Sequence, residues 1–316
     1  MYYLHTFLKE VRGLTSSSTL SMRPTTRAYL EMHFAVLLYG FTAILGNLIQ
    51  LPATVLVWWR VLITSISLFF LIRLGKDLIG IPRKLIFQYM GIGILVALHW
   101  ISFFGSVKYA NASVAMICFA TTAFFTSLLE PLLTEKKLQK QELLLGILVV
   151  LGIILVVQGI PPTMFFGVFL GLISALLIAF FAIFNKRLID KAPPTSITFL
   201  EMLSSWLFIS CCLPFFFYYA PESAFLPNYK DWVYLLILAL MCTTLAYVLN
   251  LRALKHLSAF TTNLIANLEV VYGILLAILL LQENKILSIG FYMGVLLILA
   301  AVFGHPFLNK QRNEPE

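Results

Sequence analysis

Apolar stretches of about 20 residues, separated by short polar junctions, run along almost the whole chain. That length lets a helix rising 1.5 Å per residue cross a bilayer core. The pattern predicts ten spans, near 29–50, 54–73, 85–107, 111–133, 141–159, 165–185, 196–219, 231–251, 258–281 and 286–305. The expected fold class is an all-α integral membrane protein. Prolines punctuate the pattern, since Pro52, Pro82, Pro161, Pro162, Pro193, Pro194, Pro221 and Pro227 all fall between spans. Pro131 and Pro214 lie within or at the ends of spans, where a kink is expected.

The pattern also repeats. Lys108 and Ala112 recur as Lys255 and Ala259, and after a one-residue slip Glu135, Gly146, Leu148 and Leu151 recur as Glu283, Gly294, Leu296 and Leu299. Each copy leads from an extended polar junction through an apolar span and an acidic turn into a second apolar span. Five spans per copy is an odd number, so the copies are expected to point in opposite directions across the membrane. Inverted repeats of this kind place a transporter's substrate site near the bilayer midplane, where the halves meet. The expected organisation is a cytoplasmic N-terminal extension (1–26), a first repeat (27–160), a second, inverted repeat (161–306) and a cytoplasmic tail (307–316). Gly159-Ile160-Pro161-Pro162 is the joint between the halves.

Composition agrees: 60% of residues are hydrophobic and 11% charged, and the mean hydropathy is +0.94. No soluble globular domain approaches these values. Lysine and arginine collect on cytoplasmic loops. With the N-terminus inside, all but four of the 22 basic residues fall on that side; the exceptions are Lys108, Lys230, Lys285 and Arg60. The net charge of +8 therefore reports orientation, not nucleic-acid binding. The expected location is a bacterial-type inner (plasma) membrane with both termini cytoplasmic. Residues 1–22 lack the apolar stretch of a secretory signal, and Met22 is a second candidate start. Cys118, Cys211, Cys212 and Cys242 fall in spans as small apolar packers, without metal-ligand spacing, so no metal or cofactor is implied. Small residues four apart, Gly167 with Gly171 and Gly290 with Gly294, suit close helix packing within the chain or a homodimer contact. Both monomer and homodimer stay open.

Ionisable groups inside spans are costly and mark a pathway or an ion site by default. Glu269 falls almost at the centre of span nine; Asn263 and Asn267 share a face of the same helix, with Glu269 well round from them. Glu269 reads either as a neutral carboxyl bonded between helices or as a group that binds substrate or couples protons. Arg60 follows Trp58 and Trp59, about 9 Å inside span two. It suits a bidentate clamp on a carboxylate or phosphate, or an outward-reaching anchor. Glu201 occupies nearly the matching repeat position, but inversion leaves the pair about 12 Å apart in depth. Two gates facing opposite sides are expected there rather than one salt bridge. His99 and Trp100 sit near the centre of span three, suiting either a satisfied core histidine or a titrating imidazole beside an aromatic platform. Tyr247, the repeat counterpart of Trp100, lies in span eight close to Asn250, so both spans are expected to face one cavity. Asn47 belongs with Glu201 as a gating or structural polar residue. Glu31, His33 and Glu130 read first as interface residues.

No catalytic motif is present: there is no HExxH helix, GxSxG elbow or P-loop, and Asp77, Asp190 and Asp231 all lie in loops. The run Asn267-Leu268-Glu269-Val270-Val271-Tyr272-Gly273, continuing to Gln282-Glu283 and Gly290-Phe291-Tyr292, resembles the end of a second EamA repeat. Trp59-Arg60 and Glu130-Pro131 with Glu135 and Gly146 resemble parts of a first. The chain thus resembles the drug/metabolite transporter superfamily, EamA type, from about residue 27 onward. Val270 stands where family members commonly carry a proline. Tyr39, Gly40 and Asn47 fill the region of span one where small multidrug relatives carry an acidic residue, so proton-coupled export of cationic drugs is not supported. The resemblance implies ten spans in two inverted repeats and alternating-access movement of a small metabolite, often amino-acid-like and leaving the cell. Arg60 is then expected to attract the substrate's anionic group. His99, Trp100, Tyr247 and Asn250 would line the cavity, and Asn263, Asn267 and Glu269 would bind or couple to a proton or counter-solute. The expected partners are a small-molecule substrate and the lipid bilayer. A non-transporting scaffold subunit and a membrane-embedded enzyme are the alternatives.

Overall fold

A computed structural model of the chain describes residues 24–72, 78, 80–134, 140–254, 256–257 and 265–310. The expected N-terminal extension and tail therefore lie largely outside the described residues, as do Asn263, Glu135 and Lys255. The helices are α1 (Pro24–Leu48), α2 (Ala53–Leu71), α3 (Arg83–Tyr109), α4 in two pieces (Ala112–Ala120 and Thr122–Leu133), α5 (Lys140–Gln158), α6 (Phe165–Leu188) and α7 (Pro194–Tyr219). Then come α8 in three pieces (Tyr229–Leu236, Ile237–Leu245 and Ala246–Leu254), α9 (Leu268–Leu281) and α10 (Ile289–Lys310). No strand occurs among the described residues. Seven helices, α1 to α4 and α6 to α8, are long and apolar enough to cross a membrane; α5, α9 and α10 contribute shorter apolar segments.

Proline sets several of these boundaries. Pro52, Pro82 and Pro193 each stand immediately before a helix, where a fixed φ and a missing donor cost nothing. Pro131 and Pro214 are carried inside helices that continue past them. The break in α4 falls instead at Thr121, whose backbone N–H and hydroxyl both turn back onto the Cys118 carbonyl.

Packing relates the two halves. α3 packs on α6 and α8 on α1; α4 packs on α6 and α9 on α1; α3 packs on α7 and α8 on α2. Exchanging each of the first five helices with its counterpart among the second five turns one member of each pair into the other. The remaining large contacts, α2 with α7, α5 with α10 and α4 with α9, join counterparts directly. Small residues permit the closest crossings. A methyl on Gly294 would stand 2.5 Å from the Gly152 carbonyl oxygen, and one on Gly171 2.6 Å from Cys118 Cβ. These glycines pack within the chain. Among the cysteines Cys118 and Cys242 are buried, but Cys211 is exposed, so it is not a core packer.

At the end where α1 and α3 finish and α4 and α8 begin, polar groups tie the ends together. Lys108 Nζ donates to the Ile49 carbonyl. Gln50 N–H donates to Asp231 Oδ1 at 2.8 Å. Gln282 adopts φ 55°, the left-handed turn that ends α9, and the next residue, Glu283, is only 3% exposed. Its carboxylate accepts from Ala112 N–H at 3.0 Å and Ser113 N–H at 2.8 Å. A carboxylate at a helix N-terminus satisfies orphan donors and complements the dipole. Replacing a charged partner of two buried donors costs about 2–4 kcal/mol. Glu283→Ala is therefore expected to lower the thermal unfolding midpoint of the purified protein in detergent, while Glu283→Gln, which keeps one acceptor, lowers it less.

Candidate functional site

A cavity of about 750 Å³ lies among α1, α2, α3, α4, α6, α7, α8 and α9. Its deep part forms around Arg60 on α2, which is 3% exposed. The guanidinium carbon sits 4.0 Å from the centre of the Trp100 ring and 5.5 Å from that of Phe104. Stacking on an aromatic face is the geometry that favours a desolvated guanidinium. Nε and Nη2 donate to Thr243 Oγ1 at 3.1 and 3.0 Å. Nη1 is buried without a hydrogen-bond partner.

Thr243 accepts both bonds because its own hydrogen is committed elsewhere. Residues 237–245 of α8 form a π-helix, in which Thr243 Oγ1 donates at 2.8 Å to the carbonyl of Leu238, five residues back. Thr244 does the same to Ala239 at 3.1 Å. Wide turns of this kind are rare and concentrate at functional sites.

Around this centre stand the other polar groups. Glu269 lines the cavity within electrostatic reach of Arg60 and Tyr39. His99 is buried beside Phe103 and Phe119, and its Nδ1 donates to the Ser174 carbonyl at 3.0 Å. Tyr247 donates to the Pro194 carbonyl at 3.0 Å. Asn250 lines the cavity with Oδ1 unpartnered. Toward the end where α6 finishes and α7 begins, Asn185 Nδ2 donates to Glu201 Oε1 at 2.9 Å. Lys186, 77% exposed along its side chain and paired with Glu130, marks the mouth. At the opposite end Trp58, Trp59, Phe225 and Trp232 close on one another with ring centres 4.8 to 5.6 Å apart, and none of them lines the cavity.

The structure thus gathers Arg60, His99, Trp100, Tyr247, Asn250, Glu201 and Glu269 around one space. Arg60 and Glu201 both line it but do not pair; Arg60 bonds Thr243 instead. Glu269 falls in the first turn of α9, not at the middle of a helix. Asn267 stands half-buried at the start of α9 and does not line the cavity. The helix interruption here falls at Asn267, ahead of Val270. Asn47 is exposed near the end of α1, away from the cavity, and Asn263 lies outside the described residues. Glu31 pairs with Arg27 at 2.8 Å, and His33 meets the Tyr272 hydroxyl at 3.0 Å. Thr243 and Asn185, which line the cavity, and Ser174, which bonds His99, were not singled out in the sequence, and Tyr39, which also lines it, was named there only as filling span one. The doublet Thr243-Thr244 inside an apolar span was the available signal for one of them.

A sequence model of the EamA-like transporter family matches residues 26–158 and again 165–305. The chain belongs to the EamA-like transporter family. It contains two EamA repeats and is a multi-pass membrane transporter by family. It is similar to the uncharacterized transporter YetK of Bacillus subtilis (strain 168), 23% identical over 295 residues that cover 90% of this chain and 88% of that protein. It is also similar to the uncharacterized transporter sll1319 of Synechocystis sp. (strain ATCC 27184 / PCC 6803 / Kazusa), 24% identical over 212 residues that cover 65% and 62%. A solved chain described as "Crystal structure of protein" shares the fold with a TM-score of 0.59 at 15% identity, over 92% of this EamA-like chain and 99% of that one.

The one-ended mouth gives a labelling test. In a background with the four native cysteines replaced, Tyr247→Cys is expected to react with a hydrophilic maleimide and Trp58→Cys to react much more slowly. Equal rates would mean that the aromatic end is open as well.

Proposed function

We propose that this protein is a secondary transporter that moves a small organic metabolite, amino-acid-like or related, across the plasma membrane by alternating access, in the direction of export. The observation that carries the reading is a large cavity enclosed by helices of both repeats and holding a buried guanidinium with one unpartnered nitrogen. Such a nitrogen recognises a carboxylate or phosphate. Trp100 and the surrounding aromatic side chains supply an apolar platform, and Glu269 binds or couples beside Arg60.

Ten spans, with α5, α9 and α10 crossing alongside the seven longer helices, fit the apolar segments. The interchange of packing partners between halves supports repeats of opposite orientation. So does helix direction: α1 ends, and α6 begins, at the end that holds Lys108 and Ala110. With basic loops inside, the mouth beside Lys186 faces the cytoplasm and the aromatic end faces outward, an arrangement suited to loading substrate for export. Regions 27–160 and 161–306 are then the two repeats.

The test is a comparison of metabolites in the medium of cells overproducing the wild type or Glu269→Gln. A compound accumulating with the wild type alone is the expected result, and it ties α9 to transport. Equal accumulation with both would reduce Glu269 to a structural group, and no accumulation over empty cells would defeat export. Normal transport by Arg60→Ala and His99→Ala would remove those residues from the site. Epitope tags at both termini are expected to resist external protease in intact cells.

A further inference from the structure

The cavity has two polar poles, and the carboxylate and α-amine of an amino acid are too close together to touch both. The deep pole is Arg60 against Trp100, with Nη1 unpartnered. The mouth pole is the Glu201–Asn185 pair: Glu201 is 2% exposed, and Asn185 Oδ1 is buried without a partner. A buried carboxylate beside an unsatisfied carbonyl is an acceptor-rich pocket. An ammonium group, with three donors and a positive charge, is the chemistry that satisfies it. Lys186 at the mouth is engaged by Glu130.

Two independent helix registers give the separation of the poles in depth, from backbone level to backbone level. Gly167 lies against Ala110, and the Tyr89 hydroxyl donates to the Leu188 carbonyl. α3 and α6 therefore run antiparallel, with Asn185 level with about residue 92 of α3, eight residues short of Trp100, or about 12 Å at a 1.5 Å rise. On the other side, Ser205 Oγ donates to the Gly93 carbonyl and Ser204 Oγ to that of Met90, so α3 and α7 run parallel. Glu201, whose carbonyl packs against Gly93, is then level with about residue 92, eight residues short of Trp100, or again about 12 Å. Between the poles the wall carries the apolar side chains of Val96, Ile178 and Phe181.

Subtracting a hydrogen bond of about 2.9 Å at each pole leaves about 6 Å between the ligand's end groups. At about 1.25 Å per bond of an extended carbon chain, that is about five bonds. We propose that the cavity recognises an elongated ω-amino carboxylate, its acid on Arg60, its methylene body along the apolar wall and its terminal amine on Glu201 and Asn185. This rests on the transporter reading and sharpens its substrate class. An α-amino acid whose side chain carries no amine has both charges on one carbon and can engage the Arg60 pole alone.

The test is calorimetric titration of the purified protein in detergent with glycine, γ-aminobutanoate, ω-aminohexanoate and ω-aminooctanoate. Octanoate and N-acetyl-ω-aminohexanoate serve as ligands without a charged amine. Affinity is expected to rise to the six-carbon member and to be at least about tenfold higher for it than for glycine, the worth of a charge-assisted hydrogen bond. Loss or acetylation of the amine should remove that gain. Glu201→Gln should also remove it, and Asn185→Ala should reduce it. Affinity independent of chain length, a gain that survives acetylation, or no binding by any member would overturn the proposal. Because ligand controls on the unaltered protein carry the main comparison, a poorly folding variant does not decide it. If the export experiment succeeds and this titration fails, the transporter reading stands and only the elongated ligand is lost.

Discussion

A positive charge held away from water dictates the arrangement around it, and in this protein that charge is the Arg60 guanidinium. Leaving it unsupported would cost several kcal/mol, so each neighbour answers to it. Trp100 offers the negative face of its ring at 4.0 Å. Thr243 accepts two of its hydrogen bonds, and the electrostatic reach of Glu269 extends to it from α9. Four helices are thereby fixed at one point: α2, which carries the charge, α3, α8 and α9. The support is still incomplete, since one nitrogen remains unpartnered. That shortfall makes the residue suited to recognition rather than to packing alone.

Polarity is spent differently at the two ends of the bundle. At the end away from the mouth, charged groups satisfy backbone: Glu283 caps α4, Asp231 accepts from Gln50, and Lys108 donates to Ile49. At the same end lies a layer of interlocked indole and phenyl rings. At the mouth, Glu201 and Asn185 turn toward the cavity. The first end is closed in this conformation, and the second opens beside Lys186.

Much of the fold could be read from the chain because a bilayer admits few solutions. A helix must satisfy its own backbone, so apolar length alone marks a span, and the recurrence of Lys108-to-Leu151 features near Lys255-to-Leu299 disclosed two EamA repeats. The ends of elements were less legible. Pro131 is absorbed, because a helix packed in protein can re-satisfy freed backbone groups, while Thr121, an ordinary residue in a span, makes the break in α4. For the site, the costly residues Arg60, His99, Glu201 and Glu269 could be picked out by type, and they share one cavity. Residues cheap to place in a membrane could not. Ser174 bonds His99 and Thr243 orients Arg60, yet serine and threonine are common in spans for packing alone. Asn47, expected as a gating or structural polar residue, lies exposed near a helix end, where solvent is available and no cavity is needed.

The π-helical stretch of α8 also affects what residue counting means. In a regular α-helix each residue turns the chain by about 100°, so one residue absorbed into a wider turn rotates everything after it by that amount. Tyr247 and Asn250, both downstream of Leu245, owe their direction into the cavity to that accumulated rotation. Tyr247 therefore matches Trp100 by position along the repeat, but α8 is not a rigid copy of α3 on both sides of the stretch. The two halves of this transporter are related as words are in translation: the order is preserved, while the facing of each side chain has been reset at one place.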